Sequence, residues 1–173
     1  MMNEVIQIAG KGDAAAIASL VNKAYRPGPD TFGWTHESEL VAGDRISAAQ
    51  VEQLFRQDSL VLALKCDGEL TACVHVERSG RDCWIGMLAT DPARQASGMG
   101  KKMLAAAEGI AIENFSPRRF MMSVLNSRPE LLSFYQRRGY ALTGKINEYP
   151  RDAGVGIPLS DALKVLEMQK MVV

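Results

Sequence analysis

Apolar and polar positions along the chain switch between a period of two and a period near 3.6. Residues 59–65, 70–77 and 83–90 are apolar runs of strand length. Asp67-Gly68 joins the first two as a two-residue hairpin turn, and Ser79-Gly80 joins the second and third, giving an antiparallel meander. In that register Cys66 faces Glu69 and Cys73 faces Leu62. Residues 4–9 form a strand ahead of the meander. Asp13 then caps a helix carrying Ile17, Leu20, Val21 and Ala24 at helical spacing, which Arg26-Pro27 ends. Residues 27–46 are a long irregular segment. Ser47 and Gln50 make a capping box for a short helix with Val51, Leu54 and Phe55. From Gly98 to about Asn114 the spacing predicts a helix, with Met103, Leu104, Ala107, Ile110 and Ala111 on one face. Residues 119–125 are a strand. Ser127 and Glu130 suggest a second capping box, for a helix running to Arg138 with Gly139 just past its end. Strands follow at about 140–146 and 163–171. The strand–helix–strand unit at 83–125 predicts a right-handed parallel crossover.

The fold class is therefore α+β: a mixed central sheet of about seven strands, antiparallel meander plus βαβ crossover, flanked by about four helices. The 173 residues fit one domain, 1–173, without repeat or linker. Apolar residues are 47% and charged residues 23%, ordinary for a globular protein. Twenty basic and twenty acidic side chains cancel, which argues against a nucleic-acid partner. No run approaches the roughly 18 apolar residues that span a bilayer, so no membrane partner is expected. The N-terminal residues lack the pattern of a secretory signal. Three cysteines, Cys66, Cys73 and Cys83, are an odd count. They read as free packing residues in a reducing, cytoplasmic setting. No CxxC, HExxH or carboxylate-rich pattern is present, so no metal is expected.

The most informative stretch runs from Met87 to Lys102. A strand ends, a short turn follows, and Gly98 and Gly100 open a helix. Glycines let backbone approach a ligand closely. The first N–H groups of a helix are unpaired, and its dipole favours an anion beside them. Lys101 and Lys102 add positive charge there, so the turn suits a pyrophosphate. Neither GxxxxGK[ST] nor GxGxxG is present. What does fit is Gln95-x-x-Gly98-x-Gly100, which resembles the Q/R-x-x-G-x-G/A signature of the GNAT superfamily of acyl-CoA-dependent N-acyltransferases. Val124-Leu125-Asn126, followed by Phe134-Tyr135 and Gly139-Tyr140, resembles that family's second motif. The order of elements is similar along nearly the whole chain. Thr90 and Ala96 depart from the commonest residues at their positions.

The resemblance implies an N-acetyltransferase in which an amine attacks the thioester of acetyl-CoA directly. It implies that backbone groups of Gln95, Ala96, Ser97, Gly98, Met99, Gly100 and Lys101 hold the pyrophosphate. The pantetheine would align on the strand edge at Met87, Leu88, Ala89 and Thr90, where a bulge would free donors for the thioester oxygen. Tyr135 matches the usual general acid; its plain alternative is a core aromatic. Asn126 either caps backbone locally or hydrogen-bonds the pantetheine. The general base stays open. His75 and Glu77 share one face of a strand, Glu37 and Glu39 lie in the long segment, and a water chain would also serve.

For the acceptor, the long segment supplies Trp34, Glu37, Glu39, Asp44 and Arg45. Acidic groups near Trp34 would suit a cationic amine, and a solvated loop anchored by Trp34 is the alternative. With no further module in view, a small-molecule amine is favoured over a protein amine. A non-catalytic acyl-CoA sensor of the same fold is the rival reading. The apolar last strand, ending at Val173, reads as an edge that pairs with a second copy in a homodimer or lies covered.

Overall fold

The computed structural model describes residues 3–25, 41–42, 44–150, 156–159 and 162–173. One seven-stranded sheet runs in the order β1-β3-β4-β5-β6-β9-β7. Its strands are β1 (Glu4–Ile8), β3 (Ser59–Cys66), β4 (Glu69–Ser79), β5 (Asp82–Thr90), β6 (Arg119–Leu125), β7 (Ala141–Glu148) and β9 (Lys164–Met171). A two-stranded ribbon pairs β2 (Val41–Ala42) with β8 (Ile157–Pro158). The helices are α1 (Ala14–Tyr25), α2 (Ala48–Glu52), α3 (Met99–Phe115) and α4 (Pro129–Gln136). Among the described residues no helix is long and apolar enough to cross a membrane.

The sheet separates two cores. On one face α1 and α2 bury Ile17, Val21 and Val51 against Val61, Ala63, Cys73, Met87 and Ala89. On the other, Met103, Leu104 and Ala107 of α3 and Leu131 and Tyr135 of α4 meet Val74, Val76, Ile85, Leu88, Met122 and Val124. Covered on both faces, β3 to β5 need apolar residues at successive positions, which is why they read as runs rather than as an alternation. The crossover is parallel as expected: β5 pairs β6 at Asp82↔Arg119, Cys83↔Phe120 and Trp84↔Met121.

Several local expectations change. Asp67 (φ 52°) and Gly68 (φ 85°) do turn the first hairpin, with Cys66 opposite Glu69. A bulge between Leu64 and Lys65 then shifts the ladder, so Cys73 faces Ala63 rather than Leu62. The second hairpin turns at Gly80-Arg81, because Ser79 already pairs with Asp82. The capping box of Ser47 and Gln50 forms. Asp13 is not the cap of α1; it ends a short 3₁₀ turn, accepts from the Gly10 N–H at 3.0 Å and pairs with Lys65. The box of Ser127 and Glu130 does not form. Pro129 disfavours helical backbone in the residue before it, so Arg128 becomes the cap and ties Glu130 through its Nε at 2.5 Å. Ser127 donates instead to Asn126. Gly139 (φ 97°) closes α4, with Gly139 N–H to Gln136 and Tyr140 N–H to Tyr135, the paired bonds of a Schellman end.

The last strand is not an edge. β9 lies between β6 and β7, paired on both sides, with Met168 fully buried. Its apolar side chains serve a central strand, and the self-pairing proposed for a homodimer has no free ladder there. The edge falls to β7, where Leu142 and Ile146 are exposed.

Candidate active site

Parallel pairing of β5 with β6 stops at Trp84. Beyond it Ile85–Leu88 and Met122–Leu125 line opposite walls of a cavity of about 290 Å³. On this side β5 has no strand partner from Ile85 onward, so backbone groups are left for a ligand. A second irregularity sits at the same place. Cys73 pairs with Ala89 and His75 with Gly86, so Met87 and Leu88 together oppose Val74. This is the bulge expected at the strand edge. Met87 takes φ 53°, left-handed backbone that a non-glycine residue adopts at a cost of about 1–3 kcal/mol. The bulge is held from α1, where the Tyr25 hydroxyl donates to the Leu88 carbonyl at 2.7 Å.

The cavity brings together His75, Met87, Leu88 and Tyr135 from the sequence reading. Tyr135 is buried, packed edge-on against Phe134 and Tyr140 at 5.2 and 6.1 Å between ring centres. It is a core aromatic that also forms part of the cavity wall. His75 Nε2 lies 2.8 Å from the Ser59 hydroxyl. Burial, aided by the charges of Arg56 and Arg45, pushes the His75 pKa down to about 4, so the ring is neutral at neutral pH. Glu77 also faces the cavity and is ion-paired with Arg56. Burial pushes the Cys73 thiol up to about 12, which leaves it an inert packing group.

The glycine turn has the expected form. Asp91 caps a 3₁₀ segment, Pro92–Ser97, by accepting from the Ala93 N–H at 3.0 Å. Gly98 follows at φ 78° and opens α3, whose first ladder bond is Lys102 N–H to Gly98. The N–H groups of Met99, Gly100 and Lys101 therefore lead the helix without carbonyl partners behind them in the ladder. Lys102 is tied to Glu4, while Lys101 is exposed. Ala89 and Thr90 are buried and do not line the cavity.

Asn126 is not brought to the cavity. Its Nδ2 donates to the Ala162 carbonyl at 3.1 Å and its Oδ1 accepts from Lys164 N–H at 3.1 Å, pinning the start of β9. Trp34, Glu37 and Glu39 lie outside the described residues, as do the side chains of Gln95, Ala96 and Ser97. The sequence reading missed Tyr25, Trp84 and Tyr149, which also line the cavity. Tyr25 gave no signal because it closes an amphipathic helix. Trp84 could have been found as the bulky residue on the His75 side of the third meander strand. Among the described residues no group of three or more His, Cys, Asp or Glu side chains could hold a metal.

The model of the acetyltransferase (GNAT) domain family matches residues 34–151. No curated protein matches the sequence. Among solved structures, the ribosomal-protein-S18-alanine N-acetyltransferase of Escherichia coli is similar with a TM-score of 0.72 at 15% identity, over 98% of this chain and 94% of that one. Nourseothricin acetyltransferase follows at 0.67 and 20% identity, over 97% and 98%. The spermidine/spermine N-acetyltransferase of Vibrio cholerae stands at 0.70 and 13%, over 97% and 93%. These likenesses carry the fold, and the family model covers more than half of the chain; the protein belongs to the GNAT acetyltransferases and is an acyltransferase.

Proposed function

We propose that the protein transfers the acetyl group of acetyl-CoA to the primary amine of a small molecule by direct attack. The observation that carries this reading is the coincidence of the β5–β6 split, the Met87 bulge and Tyr135 in one cavity. The backbone at the start of α3, from Gly98 to Lys101, binds the pyrophosphate through unpaired N–H groups and the helix dipole. The unpaired edge of β5 around Met87 and Leu88 aligns the pantetheine and offers donors to the thioester oxygen as charge develops on it. The amine attacks the carbonyl carbon, the tetrahedral intermediate collapses, and the C–S bond breaks. Tyr135 gives its hydroxyl proton to the departing thiolate. The proton released by the amine passes to water or to the neutral His75. A small-molecule acceptor fits a cavity of about 290 Å³ between the split sheet strands and α4, and the acceptor screen decides between it and a protein amine.

The test is an amine screen with acetyl-CoA that reads free thiol, followed by Tyr135→Phe on the best acceptor. The ring and its packing survive in that variant and only the proton donor is lost. We expect kcat to fall by roughly 10²–10⁴-fold, with Tm and CoA affinity nearly unchanged. Full activity in the variant would remove Tyr135 from the mechanism.

A further inference from the structure

The cavity wall on the α1 side carries a cation that the acetyl-transfer chemistry does not use. Arg45 is fixed in place by its backbone: its N–H and that of Ile46 both donate to Asn22 Oδ1, at 2.8 and 3.1 Å, and Asn22 Nδ2 donates back to the Ile46 carbonyl at 2.7 Å. Its guanidinium stands 5.6 Å from the centre of the Tyr25 ring, the same ring whose hydroxyl anchors the bulge at Leu88. Arg45 is half-buried and lines the cavity beside His75 and Glu77.

The charge balance of this wall is unusual. Arg56 is paired with Glu77, Arg78 with Asp58, and Arg118 and Arg119 with Asp82. No carboxylate among the described residues pairs with Arg45. Its field reaches inward, acting on both His75 and Cys73. Among the described residues, with His75 neutral and Glu77 paired with Arg56, this side of the cavity carries a net positive charge. A half-buried guanidinium without a counter-charge has lost hydration that an entering anion restores, and its planar fork fits a carboxylate with two parallel bonds.

We propose that Arg45 binds the carboxylate of the acceptor, so that the substrate is an amino-acid-type amine whose nitrogen is directed toward the β5 bulge. This rests on the acetyl-transfer reading above and names its substrate class.

The test compares amino acids with their amides and their decarboxylated amines as acceptors, by thiol release with acetyl-CoA. Carboxylate-bearing acceptors should be preferred in kcat/KM over the matched amides. In Arg45→Gln that preference should fall about 10- to 100-fold, through KM rather than kcat, the scale of a lost charged hydrogen bond. Arg45→Lys should keep part of it, having the charge without the fork. The CoA-induced rise in Tm should persist in both variants, which shows that they fold. Wild-type enzyme that prefers amides or decarboxylated amines overturns the assignment, as does an Arg45→Gln preference equal to wild type. A CoA-induced rise with no turnover and no further rise from any amino acid tested overturns it as well. Absence of the CoA-induced rise in wild type instead defeats the acetyl-transfer reading itself.

Discussion

His75 makes the stability of the fold depend on pH in a window that its carboxylates leave alone. Its pKa falls from 6.5 to about 4 on folding, mainly because the ring is desolvated between the sheet and α1. Between those values the unfolded chain binds a proton that the folded chain refuses, so stability rises with pH there. The contribution is complete above about pH 6.5 and is lost as pH falls toward 4. One proton corresponds to a slope of at most about 1.4 kcal/mol per pH unit. Integrated from about pH 7.5 to 5, the loss is about 2 kcal/mol, rising to roughly 3 kcal/mol by pH 4. Asp13, Asp82 and Glu130 have folded pKa values held below the usual carboxylate range. Their losses come at lower pH and do not mask the histidine. The assay is urea unfolding at several pH values in that window, with wild type and His75→Gln, which keeps a polar group for Ser59. Wild type should lose about 2 kcal/mol from about pH 7.5 to 5, and the variant should be nearly flat. An equal slope in both would refute the burial argument. The same shift bears on activity. A His75 that stays neutral down to about pH 4 cannot produce an acid limb of kcat/KM near pH 6–7.

Two further outcomes test the glycine turn and the sheet. Gly98 sits at φ 78°, so Gly98→Val should abolish the CoA-induced rise in Tm, whereas Gly98→Asn, whose side chain tolerates left-handed backbone, should keep most of it. Asp82 accepts from Arg118 Nε and from Arg119 Nε and Nη2 at the start of the β5–β6 pairing; Asp82→Asn should cost about 1–3 kcal/mol in urea unfolding, and that difference should vanish at pH values below the folded pKa of Asp82.

The meander, the crossover and the glycine turn were legible because each is written in local chemistry. Asp67-Gly68 supplies the left-handed backbone of a hairpin turn, and Gly98 the same at the mouth of α3. The cores of α1 and α3 follow a period of 3.6. What escaped was set by pairing across distance. The bulge beside Leu64 moves Cys73 by one partner, and nothing in the neighbouring residues announces it. The interior place of β9 depends on a strand that arrives from the far end of the chain and slots between β6 and β7. An apolar strand reads alike in the middle of a sheet or at a sticky edge. The motif singled out Tyr135, and the structure puts that residue in the cavity wall. The structure instead sends Asn126, which the same motif named, to the backbone of β9. Arg45 stood in a polar segment, where a charge is normally solvated; only the Asn22 staple shows it fixed at the cavity.

The bulge at Met87 links the fold to the chemistry. Without it, the strict alternation of β5 would send Met87 to the face of α3 and Leu88 to that of α1. With Gly86 and Met87 both turned toward α1, Met87 and Ala89 fill the core beside α1 and Leu88 fills the other core beside α3. A bulge also increases local twist. It lies three residues past the last β5–β6 pair, at Trp84, where added twist carries β5 away from its parallel neighbour. The open wall is thus the geometric consequence of satisfying two cores with one strand. The strain of a left-handed methionine is held by the burial of its side chain and by the hydrogen bond from Tyr25. That bond in turn places the Tyr25 ring against Arg45. One irregular strand thereby sets the open edge of β5 and the Arg45 guanidinium relative to each other.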